Sequence, residues 1–410
     1  MCRFFKGLTA ALAVVLAAVL FLGLTVSAHF PNEYKVTSAE PIEMEYTLPV
    51  EVKPAVNDEM IEAALSQSQP QNVKSNLMLF NLIPIKEVNV QVVQEKEVIP
   101  CGIPFGIKMF TEGVVVVGMA DVKTDSGNCN PAKDAGLKTG DVILSIDNCQ
   151  VNTNEEVSKR ILNCQGQKLI LCVRRSNVTF TTELTPVKSA ADQSYKAGLW
   201  VRDSSAGIGT LTFYDADQGT FAGLGHGICD VDTGEILPLL NGEIVTAAIS
   251  GVTKGVKGTP GELRGYFSDN RAIGNLYANL ETGVYGSMLR QPVSNQAVPV
   301  AMKQEVKPGE AQVLTTIDGV TPAYYSIEIE SVNYKENQPT KNMVIRITDS
   351  RLLENTGGIV QGMSGSPIIQ NGKLIGAVTH VLVNDPARGY AIFAENMLEV
   401  SQSLYQQKAA

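Results

Sequence analysis

The sequence predicts a mainly β protein of several domains that ends in a double β-barrel. Three observations carry this: 410 residues exceed one ordinary core, 36 glycines punctuate the chain, and most apolar runs are short and bounded by turn residues. Hydrophobic residues make up 44% and charged residues 18%, the balance of a folded chain and not of a disordered or coiled-coil one. A net charge of -9 and the lack of a basic patch exclude nucleic acid as the main partner, because phosphate binding needs a positive surface.

Residues 1–29 read as a signal-anchor. Arg3 and Lys6 precede the apolar run Leu8 to Val26, whose 19 residues are nearly enough to span a bilayer as a helix with its N-terminus left in the cytoplasm. A cleaved signal peptide competes, since Val26-Ser27-Ala28 resembles a small-residue cleavage site, but the run is longer than an ordinary signal core. Residues 30–98 are expected to form a stalk with leading strands. Phe30 to Asn76 is polar, carries scattered prolines and contains Ser66-Gln67-Ser68-Gln69-Pro70-Gln71, so little fixed structure is expected there. Leu77 to Val98, with Val88-Asn89-Val90-Gln91-Val92, predicts one or two strands.

Residues 99–176 read as a compact module. Val114 to Val117 is a continuous apolar strand, and Asn130 before Pro131 marks a short helix that Gly136 closes. Val142 to Ile146 is the next strand. Thr153 with Glu156 forms a capping box for a second helix, and Leu169 to Val173 completes the module. Pro131-Ala132-Lys133-Asp134-Ala135-Gly136-Leu137-Lys138-Thr139-Gly140-Asp141-Val142-Ile143 resembles the signature of a PDZ domain. That resemblance implies a peptide groove framed by Phe105, Gly106 and Ile107 in Pro104-Phe105-Gly106-Ile107, where a C-terminal or internal peptide would add to a sheet edge. The bland reading is that the module only docks the following domain.

Residues 190–410 are mostly short strands separated by turns, with helical character from Glu395 onward, as a double barrel requires. Within them, Gly362-Met363-Ser364-Gly365-Ser366-Pro367 frames a serine by glycines on a tight turn. Two strands joined at Asn371-Gly372 follow it, Ile368-Ile369-Gln370 and Lys373 to Val378. Loop and hairpin together resemble the nucleophile region of chymotrypsin-type serine proteases. On that resemblance Ser364 is the nucleophile, the backbone amides of Gly362 and Ser364 form the oxyanion hole, and Thr379 and His380 line the substrate pocket.

A serine needs a base, and the chain has only three histidines. His29 lies at the end of the apolar run and His380 on the hairpin, which leaves His226 in Gly225-His226-Gly227 as the best candidate, with His380 as its rival. Spacing does not choose the carboxylate that would orient the imidazole. Asp230, Asp215, Asp217 and Asp269 compete with Asp349, which is favoured because it follows the apolar strand Met343 to Ile347 and is held at its end. Six of the seven cysteines lie beyond the apolar run, an even number that permits disulfides without implying a full set. The chain contains no Cys-x-x-Cys pair and no His-Glu-x-x-His, so no metal and no cofactor is expected.

The order anchor, PDZ, peptidase, with Gly223-Leu224-Gly225-His226, Thr348-Asp349-Ser350-Arg351 and Gln361 to Pro367, resembles the stage IV sporulation protein B family of endospore-forming Firmicutes. Asn384-Asp385-Pro386 and Phe393-Ala394-Glu395-Asn396-Met397 resemble that family's C-terminal stretch. The resemblance implies catalytic His226, Asp349 and Ser364. It also implies a protease of the forespore intermembrane space that cuts a membrane regulator of an intramembrane protease, and itself, so that a late mother-cell sigma factor is activated. Self-cleavage is expected in the stalk, Phe30 to Asn76. An HtrA-like quality-control protease and a non-catalytic PDZ adaptor are the competing readings. The first usually places its PDZ domains after the catalytic domain, and the second needs no intact serine and histidine.

Overall fold

The structure, a computed structural model, describes residues 30–38, 42–44, 50–52, 71–335 and 337–409, with isolated positions between 13 and 27. The expected anchor therefore lies almost wholly outside the described residues, as does most of the Ser66 to Gln71 run. Among the described residues no helix is long and apolar enough to cross a membrane.

The expected stalk holds more order than its composition suggested. Strands β1 (Glu33–Val36), β2 (Ile42–Met44), β3 (Val50–Val52), β4 (Gln71–Leu79) and β5 (Ile83–Val92) form one sheet in the order β1-β5-β4-β3-β2. The cause is period-two alternation: Tyr34, Val36, Val50, Val52, Leu77, Val88 and Val90 all turn inward. This face shares a core with the C-terminal barrel, where Phe30 stacks on Tyr334 and Tyr334 on Phe393.

The first barrel begins earlier than residue 190. After β6 (Glu97–Pro100) comes β7 (Pro104–Met119), whose two halves serve different bodies. Its first half, 104–111, is a barrel strand. Gly113, at φ 76°, redirects the chain; a Cβ there would meet the Ile143 carbonyl oxygen at 2.8 Å. The second half enters the small module, which comprises α1 (Pro131–Asp134), β8 (Val142–Ile146), α2 (Asn154–Asn163), β9 (Leu169–Arg175) and β10 (Val178–Leu184). Both caps read from sequence are formed, Asn130 on α1 and the reciprocal Thr153–Glu156 box on α2. The module extends past residue 176 because β9 and β10 pair along their whole length.

The chain returns through β11 (Leu199–Asp215), which pairs with β7 from end to end: Leu199 opposes Met119 in the module, and Thr210 opposes Pro104 in the barrel. Then β12 (Thr220–Gly223), β13 (Leu239–Thr253), β14 (Glu262–Leu280) and β15 (Gly283–Met288) complete a closed ring, β7-β13-β14-β15-β12-β11. The small module is thus an insertion in the first barrel.

The second barrel is uninterrupted apart from one short helix and the loop after it. Its strands are β16 (Gly309–Thr315), β17 (Ala323–Val332), β18 (Met343–Ile347), β19 (Pro367–Gln370), β20 (Lys373–Val381) and β21 (Arg388–Phe393), closed in the order β16-β17-β18-β21-β20-β19. Helix α3 (Ser350–Thr356) precedes the serine loop, and α4 (Ala394–Ala409) closes the chain.

Candidate active site

Ser364 lies on the turn between α3 and β19, and His226 lies on the loop after β12, so each barrel contributes one residue. They meet in a cleft of about 650 Å³ that Thr379, His380, Gly362, Ile359, Val381 and Ile208 also line. The glycines flanking the serine are structural requirements. Gly362 and Gly365 have φ of 95° and 94°, and a Cβ on Gly365 would stand 2.2 Å from the Thr210 carbonyl oxygen. Gly225 and Gly227 serve His226 in the same way, since a Cβ at either would press on Thr379 or on the Leu280 backbone.

The His226 Nδ1 is 2.9 Å from the Gly227 carbonyl oxygen. A carbonyl only accepts, so Nδ1 carries the proton and Nε2 is left as an acceptor, the form a general base needs. Burial holds the proton affinity of His226 below the ordinary imidazole value. His380 lies beside it, with ring centroids 5.1 Å apart. Burial, then the charges of His226 and Lys341, push the His380 pKa down to about 4. Both rings are therefore neutral at pH 7.

The Ser364 hydroxyl donates to the Thr379 carbonyl oxygen at 2.8 Å. It must rotate away from that acceptor to reach an imidazole. The amides of Gly362 and Ser364 donate to no acceptor among the described residues. The Leu263 N–H donates to the Gln361 carbonyl oxygen at 2.8 Å, and a planar trans peptide then turns the Gly362 N–H the opposite way. Two unpaired amides beside a serine are donors fit for an oxyanion.

Asp349 is not brought to this cleft. It is the N-cap of α3, and it accepts the N–H groups of Arg351 and Ser326 as well as the Arg351 guanidinium through both carboxylate oxygens. The Arg351 fork holds its pKa down, to about 2. The other carboxylates considered are engaged elsewhere: Asp230 with Arg202, Asp215 and Asp217 with Lys96, and Asp269 with Arg271. Among the described residues no carboxylate lines the cleft, and the group on His226 Nδ1 is a backbone carbonyl, which no side-chain motif could have revealed.

Phe105, Gly106 and Ile107 frame no peptide groove. They lie mid-barrel, paired with β11 on one side and β13 on the other, and Phe105 and Ile107 are buried. A strand with both edges taken has no place for an added peptide. The open groove of the module is elsewhere, between α2 and the start of β11. It measures about 560 Å³ and is lined by Ser158, Ile161, Leu162, Tyr195, Leu199 and Trp200. Along residues 199–202 the only strand paired with β11 is β7, so its other edge is unpaired among the described residues. The sequence signal was Gly198-Leu199-Trp200-Val201, with Gly198 at φ 72°. The six described cysteines beyond the apolar run are all unpaired, and no acidic, His or Cys cluster among the described residues could hold a metal.

Residues 193–398, half of the chain, match the family model of the SpoIVB peptidase S55. The chain belongs to that family. A PDZ domain model matches residues 90–185, so this SpoIVB-family protein is a serine endopeptidase with a PDZ domain. Among solved structures, it is similar to the PDZ domain of an SdrC-like protein (Lmo2051) from Listeria monocytogenes, with 21% identity over 22% of this chain and 87% of that one, at a TM-score of 0.18. The active form of the Rv3671c protease of M. tuberculosis is 15% identical over 49% of this chain and 74% of its own, with a TM-score of 0.29. The HtrA-type protease AlgW is 14% identical over 50% and 55% of the two chains, with a TM-score of 0.30. At such TM-scores these likenesses carry no weight of their own. No curated protein matches the chain significantly.

Proposed function

We propose that this endopeptidase is a sporulation signalling protease. It is anchored by its N-terminus, faces the intermembrane space of the forespore and is released after processing. It cleaves a membrane-associated regulator that restrains an intramembrane protease, which activates a late mother-cell sigma factor, and it cleaves itself. Family membership supports this reading. The observation that carries the chemistry is that His226 and Ser364, one from each barrel, face one cleft.

In this reading the Ser364 hydroxyl leaves the Thr379 carbonyl and attacks the scissile carbonyl. His226 Nε2 takes its proton and later returns it to the leaving amine. The developing oxyanion is received by the amides of Gly362 and Ser364. Thr379 and His380 form the wall along which substrate backbone lies. Asp349 anchors α3 ahead of the serine loop, and its carboxylate acts on the imidazole only if the Arg351 contact opens. The PDZ domain captures a peptide of the target, or of another copy of this protein, at the free edge of β11 beside α2.

The test is replacement of the gene by one encoding Ser364→Ala in the sporulating host. The regulator should persist uncut and the late sigma factor should stay silent. Disappearance of the regulator on the wild-type schedule would overturn the proposal.

A further inference from the structure

Strand β11 of the opposite barrel grips the serine loop at three points. Side chains at alternate positions of a strand share a face, and on β11 these are Thr210 and Thr212. The Thr210 hydroxyl donates to the Gly362 carbonyl oxygen at 2.8 Å, and the Thr212 hydroxyl to that of Gly365, also at 2.8 Å. The Thr210 N–H donates to the Ser364 carbonyl oxygen at 3.2 Å. Both threonines are buried. Met363 and Gly365 direct their own N–H groups to Val360 and Val378, which leaves only the two amides that face the cleft.

The Gly362 carbonyl is the weak point of such a loop. Glycine at positive φ has no Cβ to restrict rotation, so the peptide joining Gly362 to Met363 is held only by its two hydrogen bonds, from the Met363 N–H to Val360 at 3.1 Å and from the Thr210 hydroxyl to its oxygen at 2.8 Å. If it turned inward, its oxygen would present negative charge where the oxyanion forms, and the neighbouring amides would lose their aim.

We propose that Thr210 is a positioning residue for the oxyanion hole: its hydroxyl ties the Gly362 carbonyl outward and so keeps the Gly362 and Ser364 amides directed at the reacting carbonyl. Thr210 touches no reacting atom. Its effect is confined to the transition state, in which those amides bear charge. This inference rests on Ser364 being the nucleophile.

The experiment uses the full chain in detergent and a biotinylated fluorophosphonate, with labelling rate resolved into its maximal rate and half-saturating concentration. In this reaction the serine oxygen bonds to phosphorus, fluoride leaves, and the serine proton passes to the base. Thr210→Val should lower the maximal rate by about 10- to 100-fold with little change in half-saturation, because one support of the hole is lost while the ground-state contacts remain. Thr210→Ser, which keeps the hydroxyl, should restore it to within about threefold. The proposal is overturned if Thr210→Val labels at the wild-type rate, or if Thr210→Ser is as slow as Thr210→Val, which would assign the effect to the lost methyl. Should Thr210→Val not fold, Thr210→Ala against Thr210→Ser makes the same comparison. Failure of the wild type to label at Ser364, with labelling unchanged in Ser364→Ala, would instead defeat the nucleophile assignment.

Discussion

The two barrels solve the same problem with different sequence economy. The second is built from neighbouring hairpins between Gly309 and Phe393, and it delivers Ser364 on a loop between two of its own strands. The first opens with β7, is interrupted by a whole PDZ domain, and resumes with β11 before delivering His226. Local pairing makes the second barrel readable along the chain. The first depends on a ladder between residues about 100 positions apart, as in Gly106 opposite Ile208, and such pairings leave little trace in local pattern. This chain places its PDZ domain between two strands of its first barrel and not as a separate bead before it.

The strongest way to break this comparison is to remove the residue each barrel contributes. Ser364→Ala and His226→Ala should each lower turnover of fluorescein-labelled casein by about 10⁴-fold or more, and the double variant should be little worse than either alone, because the pair acts as a unit. Additive losses would mean that the barrels do not supply one site.

The interlock between barrels is probed next by Gly365→Ala, which sets a methyl 2.2 Å from the Thr210 carbonyl oxygen and 2.5 Å from the Leu224 nitrogen, both first-barrel atoms. A drop of several degrees in Tm together with lost labelling is expected. A silent variant would show that the barrels do not press on each other there.

Acidity separates the two histidines. Burial holds His226 below the ordinary value of 6.5, so the acid limb of kcat/KM should have its midpoint below 6.5 as the pH is lowered from 7. His380→Gln should leave that limb in place, whereas an acid limb at or above 6.5 would contradict the burial of His226. The folded chain binds protons at both rings more weakly than the unfolded chain, so these groups destabilise the fold as pH falls below 6.5 and towards 4.

The smallest effect is expected at Asp349. Asp349→Ala removes the N-cap of α3 and should cost about 1 kcal/mol of stability, with casein turnover staying within about tenfold of wild type. A loss as deep as that of Ser364→Ala at unchanged Tm would mean that the carboxylate leaves Arg351 for His226 during turnover.

Much of this molecule was legible from residue pattern. The capped helices of the PDZ domain, the hairpin behind Ser364 and the glycine-framed histidine all follow from local chemistry, and each forms as expected. What escaped was non-local. Phe105-Gly106-Ile107 has the composition of a binding loop, yet its alternation of large buried side chains also suits a barrel strand, and only two distant partners decide between them. The stalk hid short strands among polar residues, and Asp349 looked free because the guanidinium that claims it is two positions away on a helix whose cap it forms.

The inserted PDZ domain leaves and re-enters the barrel at adjacent points, for Phe110 stands opposite Ser204 across the β7–β11 ladder. Two chain ends that close need only a tight turn to join them. Residues 112–202 therefore hang from the barrel by two neighbouring strands, and a tight turn from residue 111 to residue 203 spans the gap that their removal would leave.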